Sequence, residues 1–467
     1  MTAENKRFYA SILAMAWPVM LEEGLQTAVS YVDSAMVGQL GAYASAAVGI
    51  TQTPQWLLWG LLRAIGIGLL AYVAQAVGAN DWGKVRRAGG QALLLTLAGG
   101  TILGVPICLL ASYIPGWMGA EADIRGIAGE YLLILCLPML FRGATVILGS
   151  VLRGTGDMRT PMLVNLVVNA VNVVLNFLMI YPTRDLRVFG LEIQMFGCGW
   201  GVRGAAIASA ISIVVGGVLM LMAFFRDERF GARGTSLRPD GEVLRFVRKV
   251  GVPAAAQHIV ICMAFVVFVS LVTRLGTTAL AAHTIANTAE EAFYIPAYGL
   301  QAVAATMAGM AVGARDERQL DRVASVLSRI AFISLAALGA LLFFLPEQMM
   351  SIFTPDKEVI RQGASVLRII ALSEPFFGIL TVAEGLFRGV GDMKAPLYIA
   401  LFCMWGIRVG GTWLLLSFFS GGLDAVWYCM LADNMVRCGL FIWRIRSGRW
   451  KRELDLTPLP DPQEAHG

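Results

Sequence analysis

RGTGDMRTP at 153–161 and RGVGDMKAP at 388–396 share six of nine residues and lie 235 positions apart. The match extends outward from both copies at the same offset. VGAND (77–81) meets VGARD (312–316), LGAYASAA (40–47) meets LGTTALAA (275–282), and Pro18 meets Pro253, all without a gap. Over 17–88, 16 of 72 positions are identical, whereas this composition gives about one in twelve by chance. Polar residues carry the best stretches, so apolar bias does not account for them. The chain is a duplicated unit. The register breaks near Tyr181, where the first copy carries about 14 extra residues within PTRDLRVFGLEIQMFGCG (182–199), read as a loop.

The material between the repeated motifs is apolar. Of 467 residues, 57% are hydrophobic and only 15% charged, against about 25% charged in soluble domains. Hydrophobic segments fall at roughly 11–40, 44–77, 90–114, 127–150, 161–181, 201–225, 250–273, 279–312, 324–346, 365–387, 396–419 and 423–443. These predict an all-α integral membrane protein of twelve transmembrane helices in two pseudo-symmetric six-helix lobes. The expected organisation is an N-lobe at 1–225, a cytoplasmic inter-lobe loop at 226–249, a C-lobe at 250–443 and a cytoplasmic tail at 444–467. The first segment is too long and lacks a cleavage site, so it reads as a retained span.

A net charge of +5 could suggest nucleic acid, but the cations sit in short loops and act as topology signals. With the N-terminus inside, 24 Lys and Arg fall on the inner side and eight outside. The remaining five, Arg63, Arg142, Arg329, Arg408 and Arg437, lie within or beside helices. Both termini are therefore expected in the cytoplasm of a multi-pass cell (inner) membrane protein. Seven Cys occur with no CxxC pair, so neither a disulfide framework nor a metal site is expected. No GxxxxGK[ST] string appears, and no GxSxG or HExxH, so neither nucleotide use nor enzyme chemistry is expected.

Six helices per half bring both halves in and out on the same side, so the repeats are parallel and related by a pseudo-two-fold axis along the membrane normal. A substrate cavity is expected between two rocking bundles. A channel would more naturally carry a filter motif or charged rings, and neither is present.

WPVMLEEGLQTAVSYVDSAMVGQLG in helix one, VAQAVGAND closing helix two, and SVLRGTGDMRTP before helix five resemble the multidrug and toxic compound extrusion family. So do AAHTIANTAEEAFYIPAYGLQAVAATMAGMAVGARD, GLFRGVGDMKAP and WGIRVG in the second half. The resemblance covers about 11–440 and places the chain in the larger group of polysaccharide and lipid flippases. It implies a proton- or sodium-driven exporter of drugs or metabolites with a V-shaped cavity.

Asp33, seven residues and so about 10 Å below the outer end of helix one, leads the candidate ion-coupling residues. A carboxylate at that depth is costly unless paired, protonated or cation-bound. The resemblance implies a protonation or cation site at this position. Its counterpart at the repeat offset is Phe268, so the lobes are chemically unequal. Asn169, Asn172 and Asn176 share one face of helix five and could surround a titrating carboxylate or a sodium ion, or serve as interhelical glue. Some relatives carry an aspartate where Asn176 stands.

Glu290 and Glu384 complete the coupling candidates. Glu290 and the WGIRVG string around Arg408 match recurrent family elements, whereas a glutamate used by some sodium-coupled relatives falls at Ile261. Protons are favoured over sodium on that ground, and both stay open. Substrate-cavity candidates are Trp56, Tyr72, Glu291, Phe293, Tyr294, Tyr298, Glu374 and Arg408. The aromatics among them could stack on flat cations or anchor at the interface. Some of the acids could simply pair with Arg408. His258 and His283 could titrate but more often such residues pack, and Arg63 has no assigned role.

Gly154, Asp157, Gly389 and Asp392 form the duplicated elbows, with Pro161 and Pro396 opening the next helix. Pro54 and Pro296 are expected to break helices two and eight. The expected function is a secondary antiporter exporting small amphipathic or cationic organic compounds in exchange for protons or sodium. The alternative is a flippase for a lipid-linked saccharide. Expected partners are the substrate and the bilayer, with no cofactor, nucleic acid or nucleotide, and a monomeric state.

Overall fold

A backbone surrounded by hydrocarbon must satisfy its own polar groups, and this chain does so with helices. The computed structural model describes residues 3–188, 191–230, 237–419, 421–448, 450, 451, 454 and 456. Residues 231–236 of the expected inter-lobe loop and most of the expected tail lie outside these.

The helices of the first half are one (Ala3–Gly38), two (Ala42–Gly78), three (Trp82–Leu110), four (Ala122–Cys136 with Met139–Gly154), five (Arg159–Met179) and six (Gly201–Arg226). Those of the second are seven (Gly241–Thr273), eight (Thr277–Glu291 and Ile295–Gly313, joined by a 3-10 turn), nine (Glu317–Phe344), ten (Lys357–Ala371 with Glu374–Val390), eleven (Lys394–Phe418) and twelve (Leu423–Arg446). Helices four and ten are each bent, by 50° and 57°.

The repeat offset is visible in the boundaries themselves: Ala42 and Thr277, Gly78 and Gly313, Ala122 and Lys357, Met139 and Glu374, Arg159 and Lys394 are all 235 apart. The turns repeat too. Gly156 and Gly391 of the elbows have φ of 88° and 87°, a region open to glycine without a Cβ penalty. Asn80 and Arg315, both at φ 55°, end helices two and eight, and Asp81 and Asp316 then cap the next helices by accepting from the backbone N–H of Lys84 (3.0 Å) and Gln319 (2.9 Å). Asp157 accepts from the N–H groups of Arg159 and Thr160, so the elbow aspartate is a cap.

Two sequence expectations need correction, and two further features had no sequence signal. The 182–199 segment is an antiparallel hairpin, Pro182–Val188 paired with Leu191–Cys198, so the fold is not wholly helical. Pro54 lies inside an unbroken helix two, whereas Pro296 does begin a new helical segment. Residues Leu401–Gly410 of helix eleven are π-helical, unlike their counterparts in helix five. The first part of the tail docks: Trp450 is buried against Phe387, and Lys451 Nζ pairs with Glu317 and Asp321.

Each lobe has an apolar core, around Leu62, Ile147 and Phe224 in the first and Phe268, Leu367 and Trp427 in the second, and the first also takes in Val243 and Val247 at the start of helix seven. A third cluster joins Ile12 and Ala16 of helix one to Leu300, Leu327 and Phe387 of the second half, so the start of helix one leans on helix eight. At the end of the bundle that carries the elbows, the lobes meet backbone to backbone. A Cβ at Gly78 would collide with the Met310 carbonyl, and one at Gly313 with the Gln75 carbonyl. Gln75 Nε2 donates to the Gly389 and Val390 carbonyls (3.1 and 3.0 Å), and Thr306 Oγ1 donates to the Arg153 carbonyl (3.0 Å). Farther from that end, helices two and seven touch through ring edges, Trp56 against His258 and Phe265 at 5.3 and 5.8 Å.

Candidate functional site

In the first lobe, helices one, five and six converge on one carboxylate. Asp33 Oδ1 accepts from Asn176 Nδ2 at 2.7 Å. The amide of Asn172, oriented so that its oxygen accepts from Ser209 Oγ at 3.1 Å, presents its nitrogen to both Asp33 oxygens at 3.0 and 3.1 Å. Residues four apart on a helix lie on one face, which is why Asn172 and Asn176 reach the same group. Asn169 makes no side-chain hydrogen bond among the described residues. Asp33 is half-buried, and no Lys or Arg pairs with it among the described residues. Neutral donors hold the carboxylate without neutralising it, so a proton or small cation can bind there without displacing a counter-ion.

The second lobe spends its charges differently. Asp433 of helix twelve, fully buried, takes Arg408 Nη2 at 2.7 Å and Arg437 Nη2 at 2.8 and 2.9 Å. Asn434 accepts from Arg408 and donates to Ser373 Oγ. Arg408 is thus one of two arginines in an ion cluster on Asp433 and not an open cavity wall. Glu290, buried, accepts from the Tyr294 hydroxyl, and the Tyr294 ring stacks on Phe377 at 4.0 Å. Glu374 is also fully buried, packed against Gly339, and its two oxygens accept no hydrogen bond among the described residues. It therefore does not line a cavity. Phe293 is likewise a core residue.

Other candidates are placed around the junction of the lobes. Glu384 accepts from Gln257 and Gln301, both at 3.4 Å, and faces Arg388 at 3.7 Å. Tyr298, Glu291 and Trp56 are exposed there, with Tyr298 edge-on to Tyr294 and Phe377. Tyr72 is instead at the elbow end, where its hydroxyl donates to Glu242 Oε1 at 3.1 Å beside a shallow depression lined by Arg245, Phe246 and Lys249. It sits two turns from the end of helix two, too near the elbows for the mid-membrane wall. His283 packs between the Phe268 and Trp427 rings, and His258 Nε2 lies 3.1 Å from the Trp56 carbonyl.

Two carboxylates escaped the sequence reading. Glu22 accepts from Arg153 Nη2 (2.5 Å) and Asn165 Nδ2 (2.6 Å), holding the first elbow to helices one and five. Asp433 stands four residues before Arg437, an acid–base spacing that signals a pair on one helical face. Among the described residues no three His, Cys, Asp or Glu side chains converge as a metal site, and all seven Cys are free.

The sequence profile of the MatE family matches residues 18–178 and 253–414, one stretch in each half. The chain belongs to the MatE family of transporters. Similar proteins include a probable multidrug resistance protein NorM of Thermotoga maritima, 28% identical over 96% of this chain and 94% of that one. A probable multidrug resistance protein YoeA of Bacillus subtilis is 26% identical over 93% of each. A MATE crystal structure in the straight conformation superposes with a TM-score of 0.86 at 24% identity, covering 95% of this chain and 96% of that one. This MatE protein therefore shares the twelve-helix, two-lobed fold and is a multi-pass membrane protein.

Proposed function

We propose that this MatE protein is a multidrug efflux antiporter that exports small amphipathic or cationic organic compounds by alternating access of its lobes, driven by protons re-entering through Asp33. The observation that carries the reading is the amide-held, counter-ion-free carboxylate at Asp33. Such a group binds and releases a cation as access to it changes, which is what coupling requires. The related NorM and YoeA proteins are named as probable multidrug resistance proteins, which supports multidrug efflux.

The excess of cations in the loops on the elbow side supports a cytoplasmic location for that end and for both termini. The backbone-to-backbone seam at Gly78 and Gly313 then closes the inner side in this state. The protein works as a monomer within the bilayer.

The test is dye transport in inverted vesicles under separately imposed proton and sodium gradients. Efflux driven by the proton gradient and lost in Asp33→Asn supports the reading. Efflux driven by sodium alone reassigns the ion, and unchanged gradient-driven efflux in Asp33→Asn removes this residue from the mechanism. Translocation of a lipid-linked sugar with no dye movement favours the flippase alternative.

A further inference from the structure

Helix seven has 33 residues, about 50 Å of helix, and a hydrocarbon core of about 30 Å uses about 20 of them. With Thr273 at the outer boundary, the turns from Gly241 to Val250 stand in the headgroup layer on the elbow side. One face of those turns is built for the bundle: Val243, Val247 and Val250 are buried, with Gly68 of helix two directly against Val247. The other face gathers Arg245, Arg248 and Lys249. All three are exposed, and none forms an ion pair among the described residues. Residues three and four apart share a face, so these like charges repel one another. Other exposed cations of the elbow side that lack an ion pair among the described residues, Arg86, Arg226 and Arg318, stand on three different helices.

Depressions flank Arg245 on both sides. The larger, about 500 Å³, is lined by Tyr72 of helix two with Glu242, Arg245, Phe246 and Lys249, and the smaller, about 240 Å³, by Leu244, Arg245 and Arg248. Glu242 does not answer those cations, because it accepts from the Tyr72 hydroxyl at 3.1 Å and lies 3.8 and 3.5 Å from Lys84 and Arg87. The charged face then runs on into an apolar one. Val252, Ile259, Met263 and Val266 continue it toward the outer end, all exposed. One side of helix seven is thus cationic in the headgroup layer and apolar in the hydrocarbon, the order of parts in an anionic lipid. Helix one, its counterpart in the repeat, lacks the pattern: Ala10, Leu13 and Ala14 stand where helix seven has Arg245, Arg248 and Lys249.

We infer that Arg245, Arg248 and Lys249 hold the phosphate of an anionic phospholipid from the elbow-side leaflet, with its acyl chains along Val252, Ile259 and Met263. Guanidiniums bind phosphate oxygens through paired N–H donors, and lysine adds a point charge. Basic pockets between transmembrane helices take such headgroups. Tyr72 belongs to the first lobe and the three cations to the second, so a headgroup in the larger depression touches both lobes on the side where the seam is shut. The site is apart from Asp33 and does not depend on which ion or compound the protein carries.

The experiment counts lipids bound to the purified full-length protein in neutral detergent by native mass spectrometry. The probes are dioleoylphosphatidylglycerol and dioleoylphosphatidylcholine, which differ in headgroup charge and share their chains. The wild-type protein is expected to bind the first phosphatidylglycerol more tightly than phosphatidylcholine. Replacing Arg245, Arg248 and Lys249 together by Gln is expected to lower the affinity for phosphatidylglycerol about tenfold or more and to leave that for phosphatidylcholine unchanged. Arg245→Lys with Arg248→Lys keeps the charge and is expected to retain most of the preference. Replacing Arg86, Arg226 and Arg318 by Gln removes the same net charge from the same side and is expected to leave the preference intact.

A preference that survives in the helix-seven Gln variant overturns the site. An equal loss in the variant of Arg86, Arg226 and Arg318 also overturns it, since the lipid then answers to diffuse charge and not to this face. Inorganic phosphate and glycerol 3-phosphate are added in parallel as competitors. If either displaces phosphatidylglycerol at the concentration at which the lipid itself binds, the acyl chains contribute nothing and the occupant is a free phosphate, which ends the lipid assignment. None of these readouts involves transport, so failure of the site and failure of the export reading are separate results.

Discussion

At one and the same place in the repeat, the first lobe holds Asp33 and the second holds Phe268; Val173 of helix five corresponds to Arg408 of helix eleven. In the first lobe two amides approach a carboxylate that has no counter-ion among the described residues. In the second, Arg408 lies 6.0 Å over the Phe268 ring and is spent on Asp433. The backbone has been kept through duplication, down to matching bends and left-handed turns, while the polar chemistry has been reassigned. At this place one lobe leaves a carboxylate without a cation among the described residues, and the other closes its charges into an ion cluster. The elbow arginines make a milder version of the same point. Arg153 takes its carboxylate from helix one, whereas Arg388 takes it from its own helix.

The largest test of that contrast is Asp33→Asn. Gradient-driven efflux should fall to the level of empty vesicles, while thermal unfolding in detergent stays near that of the wild-type protein, since the amides can pair with an amide. Asp433→Asn should do the opposite. It leaves Arg408 and Arg437 without their carboxylate, a loss of about 3–5 kcal/mol, read as a large drop in unfolding temperature and in yield. Replacing Asp433, Arg408 and Arg437 together by Leu should recover much of that stability. A stable Asp433→Asn protein that no longer transports would break the contrast.

Gly78→Ala comes next, because its Cβ has no room beside Met310 when the seam is shut. Overpacking of this kind costs about 1–3 kcal/mol. The expected outcome is faster labelling of Ala74→Cys by an impermeant maleimide applied from the elbow side. Thr306→Val, which removes one hydrogen bond to the Arg153 carbonyl, should move the same labelling rate in the same direction by about 1 kcal/mol or less.

The 235-residue offset made the architecture legible, because caps, glycine turns and helix starts are local and repeat wherever the sequence repeats. Asp33 and its amide face were legible for a related reason: an acid at membrane depth is conspicuous, and residues four apart share a side. What could not be read was which helix faces which. Glu22 gains meaning only from Arg153, 131 residues away, and Asp433, whose Arg437 is four residues on, gains its second arginine from Arg408, 25 residues away. Tyr72, Phe293 and Glu374 were misplaced because an aromatic or acidic residue in a span reads alike whether it faces a cavity, a core or the membrane edge. Helix two absorbs Pro54 without interruption, and helix eleven widens into a π turn, through packing that no local pattern announces.

The seam at the elbow end sets the energetic scale of turnover. Around Gly78 and Gly313 it is a join of bare backbone with hydrogen bonds from Gln75 and Thr306, each worth about 0.5–1.5 kcal/mol net. Beside it Tyr72, Lys84, Arg87 and Gln91 reach the chain around Asp240 and Glu242, and Val243 and Val247 pack on helix two. A charge moving through a membrane potential gains about 2.3 kcal/mol per 100 mV. That gain is commensurate with one or two of these polar contacts, so the inner side opens by exchanging many small contacts and not by breaking a single large one.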